Sequence, residues 1–148
     1  MALGAPTELL QAVTEAQADE VRHARQCMER AAAHGSIAQI GPLDTAVRIR
    51  STPFDVALGV ALEGCINETM SALELLVDVE AHQGEDRRVL AALADDELRH
   101  AQLAWRTLVW LLPQLSRKER RVIRRAMHEA LPAAETEISE CVDALLAA

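Results

Sequence analysis

One short pattern occurs twice in this chain, half a chain apart, and it constrains the fold more than any other feature. Asp19-Glu20-Val21-Arg22-His23-Ala24 recurs as Asp96-Glu97-Leu98-Arg99-His100-Ala101. Each copy holds Glu-x-x-His. Residues three apart share one face of a helix, so each copy turns a carboxylate and an imidazole the same way. A stripe of steps of three and four through the first copy runs Leu9, Val13, Ala16, Glu20, His23, Cys27. Through the second it runs Leu90, Leu93, Glu97, His100, Ala104, Leu108. Everything else on both stripes is apolar, which predicts two core seams.

A carboxylate left unpaired in a core costs several kcal/mol. Two facing seams that each carry one need a common partner. A shared cation is the simplest: paired Glu-x-x-His motifs offer oxygen and nitrogen ligands to a first-row transition metal. The alternative is a polar core network in which two His–Glu pairs neutralise each other.

Composition agrees with helices. Half of the 148 residues are hydrophobic, mostly Ala, Leu and Val, and the aromatic residues are Phe54, Trp105 and Trp110. Many Ala and Leu and few β-branched runs favour helix over strand. The length suits a single domain over 1–148. A net charge of −8 disfavours general nucleic-acid binding. There is neither a membrane-spanning apolar stretch nor a signal-peptide pattern. Cys27, Cys65 and Cys141 are odd in number and lack CxxC spacing, so they read as reduced, mostly buried thiols of a cytoplasmic protein. Without Tyr, no tyrosyl radical enters any mechanism.

Punctuation divides the chain. Helix A is expected over 7–34, between Pro6-Thr7 and Gly35. Residues 35–53 contain Gly35, Gly41, Pro42 and Pro53 without a clear period. A connection of about twenty residues is too long for a tight loop. Extended, it reaches about 60 Å, enough to travel the length of a bundle and set helices A and B parallel. Helix B, over 54–82, starts at Thr52-Pro53. The turn at Gln83-Gly84-Glu85-Asp86 returns the chain as an antiparallel helix C over 86–112. A C-terminal helical pair fills 116–147, opened by the capping box Ser116-x-x-Glu119 and broken at Pro132.

Helix B offers Glu63 and Glu68, five residues apart and about 140° around an α-helix, so they cannot face one point. The stripe through Glu68 runs Ala61, Cys65, Ala72, Leu75, Val79, a third apolar seam. Counted from the turn, Glu68 sits level with Glu97, while Glu63 lies about a turn and a half too far along. Glu68 is therefore the expected ligand. Glu63 is an alternative or supporting ligand, or else a solvated residue near the crossover.

These motifs resemble the ferritin-like di-iron carboxylate superfamily. That pattern is Glu on the first helix, Glu-x-x-His on the second, Glu on the third and Glu-x-x-His on the fourth. Glu20 and His23 match the second helix, Glu68 the third, and Glu97 with His100 the fourth. Leu3-Gly4-Ala5-Pro6 and the stretch from Glu63 to Thr69 are similar to bacterial ferritin-like domain proteins, and the resemblance covers about residues 3–112. It implies an all-α, ferritin-like helical bundle with a long crossover between helices A and B, truncated at the N-terminus, since no helix precedes helix A. It also implies metal ligation by Glu20, His23, Glu68, Glu97 and His100. Five ligands suffice for one iron, and two irons need a further bridge. Manganese suits the same donors.

Three functions follow as expectations. The first is a non-haem iron oxidoreductase that activates dioxygen with a reductase partner. The second is iron or manganese binding, or ferroxidation, without an organic substrate. The third is a non-catalytic interaction module with a degenerate metal site. A missing helix would expose a groove along helices A, B and C, which predicts a homodimer or higher homo-oligomer. One of the last two helices would fill that groove, in its own chain or swapped, and the last could bring a replacement carboxylate from Glu135, Glu137, Glu140 or Asp143. The basic run from Arg117 to Arg125 reads as a solvated face rather than a nucleic-acid site.

Overall fold

A computed structural model of the chain describes residues 3–36, 41, 52–132 and 136–146, and every regular element among them is helical. The elements are α1 (Thr7–Ala33), α2 (Pro53–Gly59), π1 (Val60–Glu68), α3 (Thr69–Ala81), α4 (Gly84–Leu111), a 3-10 turn (Leu112–Gln114), α5 (Arg117–Ala130) and α6 (Thr136–Leu146). No described helix is long and apolar enough to cross a membrane. The expected crossover over 35–53 lies, for the most part, outside the described residues.

The helix ends form for local reasons. Gly35 takes φ +78°, which a side chain would disfavour. Its N–H then bonds Ala32 O at 3.0 Å and that of Ser36 bonds Ala31 O at 2.8 Å, closing α1 with a Schellman turn. Thr52 Oγ1 accepts from the Asp55 N–H at 3.1 Å to open α2, with Pro53 in the first turn. Ser116 and Glu119 form the capping box of α5. Between α3 and α4 the chain turns within His82-Gln83, and Arg87 Nη1 donates to the free Val79 carbonyl at 2.7 Å.

The expected single helix over 54–82 is interrupted. Residues Val60–Glu68 wind as a π-helix between two α-helical segments. A π-helix closes its hydrogen bonds over five residues instead of four. Positions five apart therefore come to nearly the same side, and the argument that separated Glu63 from Glu68 fails here.

Two antiparallel pairings set the register. Contacts of α1 with α4 pair Arg30 with Asp86, Arg22 with Asp96 and Glu20 with His100, so numbering rises along one helix as it falls along the other. The segment α2–π1–α3 is also antiparallel to α4, with Glu80 beside Arg87 and Gly64 against Ala104, so α1 and α2–α3 run parallel. Tight packing comes from α2, π1, α4, α5 and α6, whose Ala57, Ala61, Cys65, Ile66, Leu108, Leu111, Ile123, Met127 and Val142 form one buried cluster. Gly64 is where π1 and α4 approach most closely: a Cβ there would stand 2.5 Å from the Ala104 Cβ.

α1 departs from its expected seam. Of Leu9, Val13, Ala16, Glu20, His23 and Cys27, only Leu9 and His23 are buried. Packing explains this, because α1 rests chiefly on α4 and its side toward π1 borders an open cleft. The thiols are likewise corrected: Cys65 is buried, whereas Cys27 and Cys141 are exposed. Burial pushes the Cys65 thiol up to about 12, so it stays protonated.

Candidate metal centre

The two copies of the repeated motif meet where α1 crosses α4. His23 and His100 stand with ring centroids 5.7 Å apart. His100 Nδ1 lies 3.1 Å from Glu20 Oε1 and 3.9 Å from Glu97 Oε2. His23 Nδ1 lies 3.3 Å from Glu97 Oε1 and 3.6 Å from Glu20 Oε1. Each imidazole is thus nearer the glutamate of the opposite helix than its own. Glu20, Glu97 and His100 offer ligand atoms that all lie within 4.8 Å of one another.

The far nitrogen of each ring is held by an aspartate, again from the opposite helix. His23 Nε2 lies 2.9 Å from Asp96 Oδ2, and His100 Nε2 lies 3.3 Å from Asp19 Oδ2. A carboxylate only accepts, so Nε2 of each ring is assigned the proton and Nδ1 keeps a lone pair facing the glutamates. The His23 Nδ1 is buried and, although close to Glu97, makes no aligned hydrogen bond. A buried acceptor facing ionised carboxylates has no proton to share with them. A cation satisfies both sides.

Two arginines hold the aspartates. Arg22 bridges Asp19 at 2.6 Å and Asp96 at 2.5 Å, while Arg99 pairs with Asp96 and stands 3.7 Å from Asp19. The four side chains close a ring that joins α1 to α4. Burial alone would raise the Asp96 carboxyl, but hydrogen bonds from His23, Arg22 and Arg99 outweigh it and hold the group down to about 2. Sequence reasoning missed the aspartates as supports of the histidines. The available signal was the repeat itself, which has Asp directly before Glu in both copies.

π1 brings the third set of donors. Glu68 shares a hydrogen bond with Glu97. Glu63 and Glu68 both line a cleft with Glu20 and His100, so three of the four expected carboxylates and one imidazole border a single cleft. Among the described residues the last helix brings no acid to the cleft: Glu137, Glu140 and Asp143 are absent from its lining, Asp143 Oδ1 accepts from His128 at 2.8 Å and Glu137 borders a different hollow beside Trp105, while Glu135 lies outside the described residues. No described residue lining the cleft comes from α5 or α6; α5 packs instead against π1 and α2, and α6 against α5. These helices are committed to the apolar core through Ile123, Met127, Val142 and Leu146.

Electrostatics in the metal-free protein point the same way. Burial, followed by the Glu68 hydrogen bond and the Glu68 and Glu20 charges, pushes Glu97 up to about 7. The folded protein therefore holds a proton that the unfolded chain releases near 4.5. That contribution to stability falls as pH rises from about 4.5 to about 7. Asp96 acts oppositely, contributing above its ordinary 3.8 and losing that contribution as pH falls toward about 2. Thermal melts with chelator present are expected to drop between pH 5 and pH 7.5, and Glu97→Gln is expected to flatten that slope. An equally steep slope in the variant would place its origin elsewhere.

The chain matches no family model, no curated protein and no solved structure among those with which it was compared.

Proposed function

We propose that the chain is a ferritin-like, non-haem metal protein that holds iron between α1, π1 and α4, and that it works as an oxidoreductase activating dioxygen. One observation carries the reading: two cross-paired Glu–His sets converge on one point, with the buried Nδ1 of His23 turned inward and lacking a hydrogen bond. Glu20, His23, Glu68, Glu97 and His100 are the ligands, with Glu63 beside them in the cleft. The donor set of carboxylates and imidazoles suits iron or manganese. Asp19 and Asp96 are positioning residues, because an acceptor on the far nitrogen of a metal-bound imidazole fixes its tautomer and orientation. Iron bound there would supply the redox chemistry. The protein would supply the ligand frame, the ring orientation and an adjoining cleft.

A second reading is ferroxidation or metal binding without an organic substrate. The exposure of Glu20 supports it: its side chain is 56% accessible, which gives hydrated cations a direct path to the site.

Anaerobic reconstitution with Fe(II), followed by desalting and metal analysis, tests both. About one to two irons per chain are expected in the wild type, and less than a tenth of that in Glu97→Ala. Oxygen uptake that stops once the iron is oxidised would favour the second reading over the first. No retained iron in a helical, folded protein would reduce the cluster to a polar network and leave a non-catalytic interaction module.

A further inference from the structure

Positive charge in this acidic chain is concentrated on α5, which holds six of the fifteen Lys and Arg residues against two acids. Part of it is used within the fold: Arg124 stands 3.9 Å from Asp143, and Arg125 pairs with Glu129 at 2.7 Å. Arg117, Lys118 and Arg121 are exposed and form no ion pair among the described residues. Arg117 and Arg121 stand one turn apart on one row of the helix, and the neighbouring row pairs Lys118 with the exposed Val122.

The opposite pattern lies on α3, which carries Glu74, Asp78 and Glu80 and no Lys or Arg. Glu74 and Asp78 are exposed, one turn apart, and their carboxylates form no ion pair among the described residues. Beside them runs an apolar row of Leu73 and Val77, both exposed, Val77 to 71%. These side chains face away from α4, on which α3 packs through Ala72 and Val79.

We infer that α5 of one copy docks on α3 of a second copy of this chain, the arginine row against the carboxylate row and Val122 against Leu73 and Val77. The signs are opposite, the one-turn spacing of about 6 Å is the same on both helices, and each charged row borders an exposed apolar one. A net charge of −8 repels a nucleic acid or an anionic lipid surface at long range, whereas a second copy supplies the matching acids itself. In a two-fold dimer the contact forms twice, since each copy carries both helices. None of these residues is a proposed metal ligand, so the contact does not depend on the function proposed above.

Sedimentation of the chelator-treated full chain tests it. The wild type is expected to associate at about 0.02 M salt and to do so at least tenfold more weakly at about 0.5 M, because exposed charges are screened. Arg117→Glu with Arg121→Glu, and separately Glu74→Arg with Asp78→Arg, are each expected to leave a monomer. An equimolar mixture of the two double variants is expected to associate again, since each then offers the other the opposite sign. Val77→Ser should weaken association about tenfold, the loss of burying one Val side chain. All five positions are exposed, and acids near the start of α5 suit its helix dipole, so the fold is retained, as circular dichroism checks. A wild type that stays monomeric at low salt, even one that binds a polyanion such as heparin, would overturn the proposal. So would a folded double variant that associates like the wild type, or a mixture that stays monomeric. Iron retention by a monomer would remove this inference alone, and association without iron retention would remove the metal reading alone.

Discussion

Replacing Asp96 with alanine is expected to destabilise the metal-free protein by about 3 kcal/mol, within the range for removing one partner of a buried charge pair. Asp96 is buried, and it accepts hydrogen bonds from His23, Arg22 and Arg99. Alanine leaves the buried His23 Nε2–H without an acceptor. The loss stays near the low end of the range because Arg22 and Arg99 are 46% and 57% exposed and can recover water. For a chain of this size the melting temperature should fall by roughly 6–12 °C. Asp96→Asn keeps an oxygen for His23 and loses the charge attraction, so about half the cost is expected. Denaturant titration with an unchanged slope checks both values. A cost for alanine under about 1 kcal/mol would make the ring an ordinary surface ion-pair network. The same variant should bind iron about 10- to 100-fold more weakly, the usual penalty for losing the support of a ligating imidazole.

Gly64→Ala is expected to cost about 2–3 kcal/mol by overpacking. A methyl there would stand 2.5 Å from the Ala104 Cβ and 3.7 Å from its Cα, so no side chain can rotate away and two helices must separate. Glu63 and Glu68 flank this contact in sequence, so separation would also move the π1 carboxylates relative to Glu97. Ala104→Gly alone should cost about 0.5–1 kcal/mol, through helix propensity. Combined with Gly64→Ala it removes the clashing methyl, and the double variant should regain most of the lost stability. A double-mutant cycle reads this as a coupling above about 1.5 kcal/mol. Additive losses would show that the contact relaxes without cost.

Periodicity alone made the fold class legible. The stripe Leu90, Leu93, Glu97, His100, Ala104, Leu108 predicts a helix with one inward face; in the folded protein all five residues from Leu93 onward are buried, and only Leu90 is not. Gly35, Thr52-Pro53 and Ser116-x-x-Glu119 marked helix ends because capping is chemistry between near neighbours. Gly84, by contrast, lies inside the first turn of α4 rather than in the turn before it.

The sequence by itself therefore determined the helices, their ends and the facing of each Glu with its own His, since these depend on contacts within four residues. The tertiary structure alone decided three further things. The first is the π-helical winding of Val60–Glu68, which no α-helical period can encode and which turns both Glu63 and Glu68 into one cleft. The second is the cross-pairing of Asp96 with His23 and Asp19 with His100, a choice between partners far apart in the chain. The third is the exposure of the α1 stripe: an apolar period says which face a helix would bury, but only the arrangement of the other helices decides whether anything covers it.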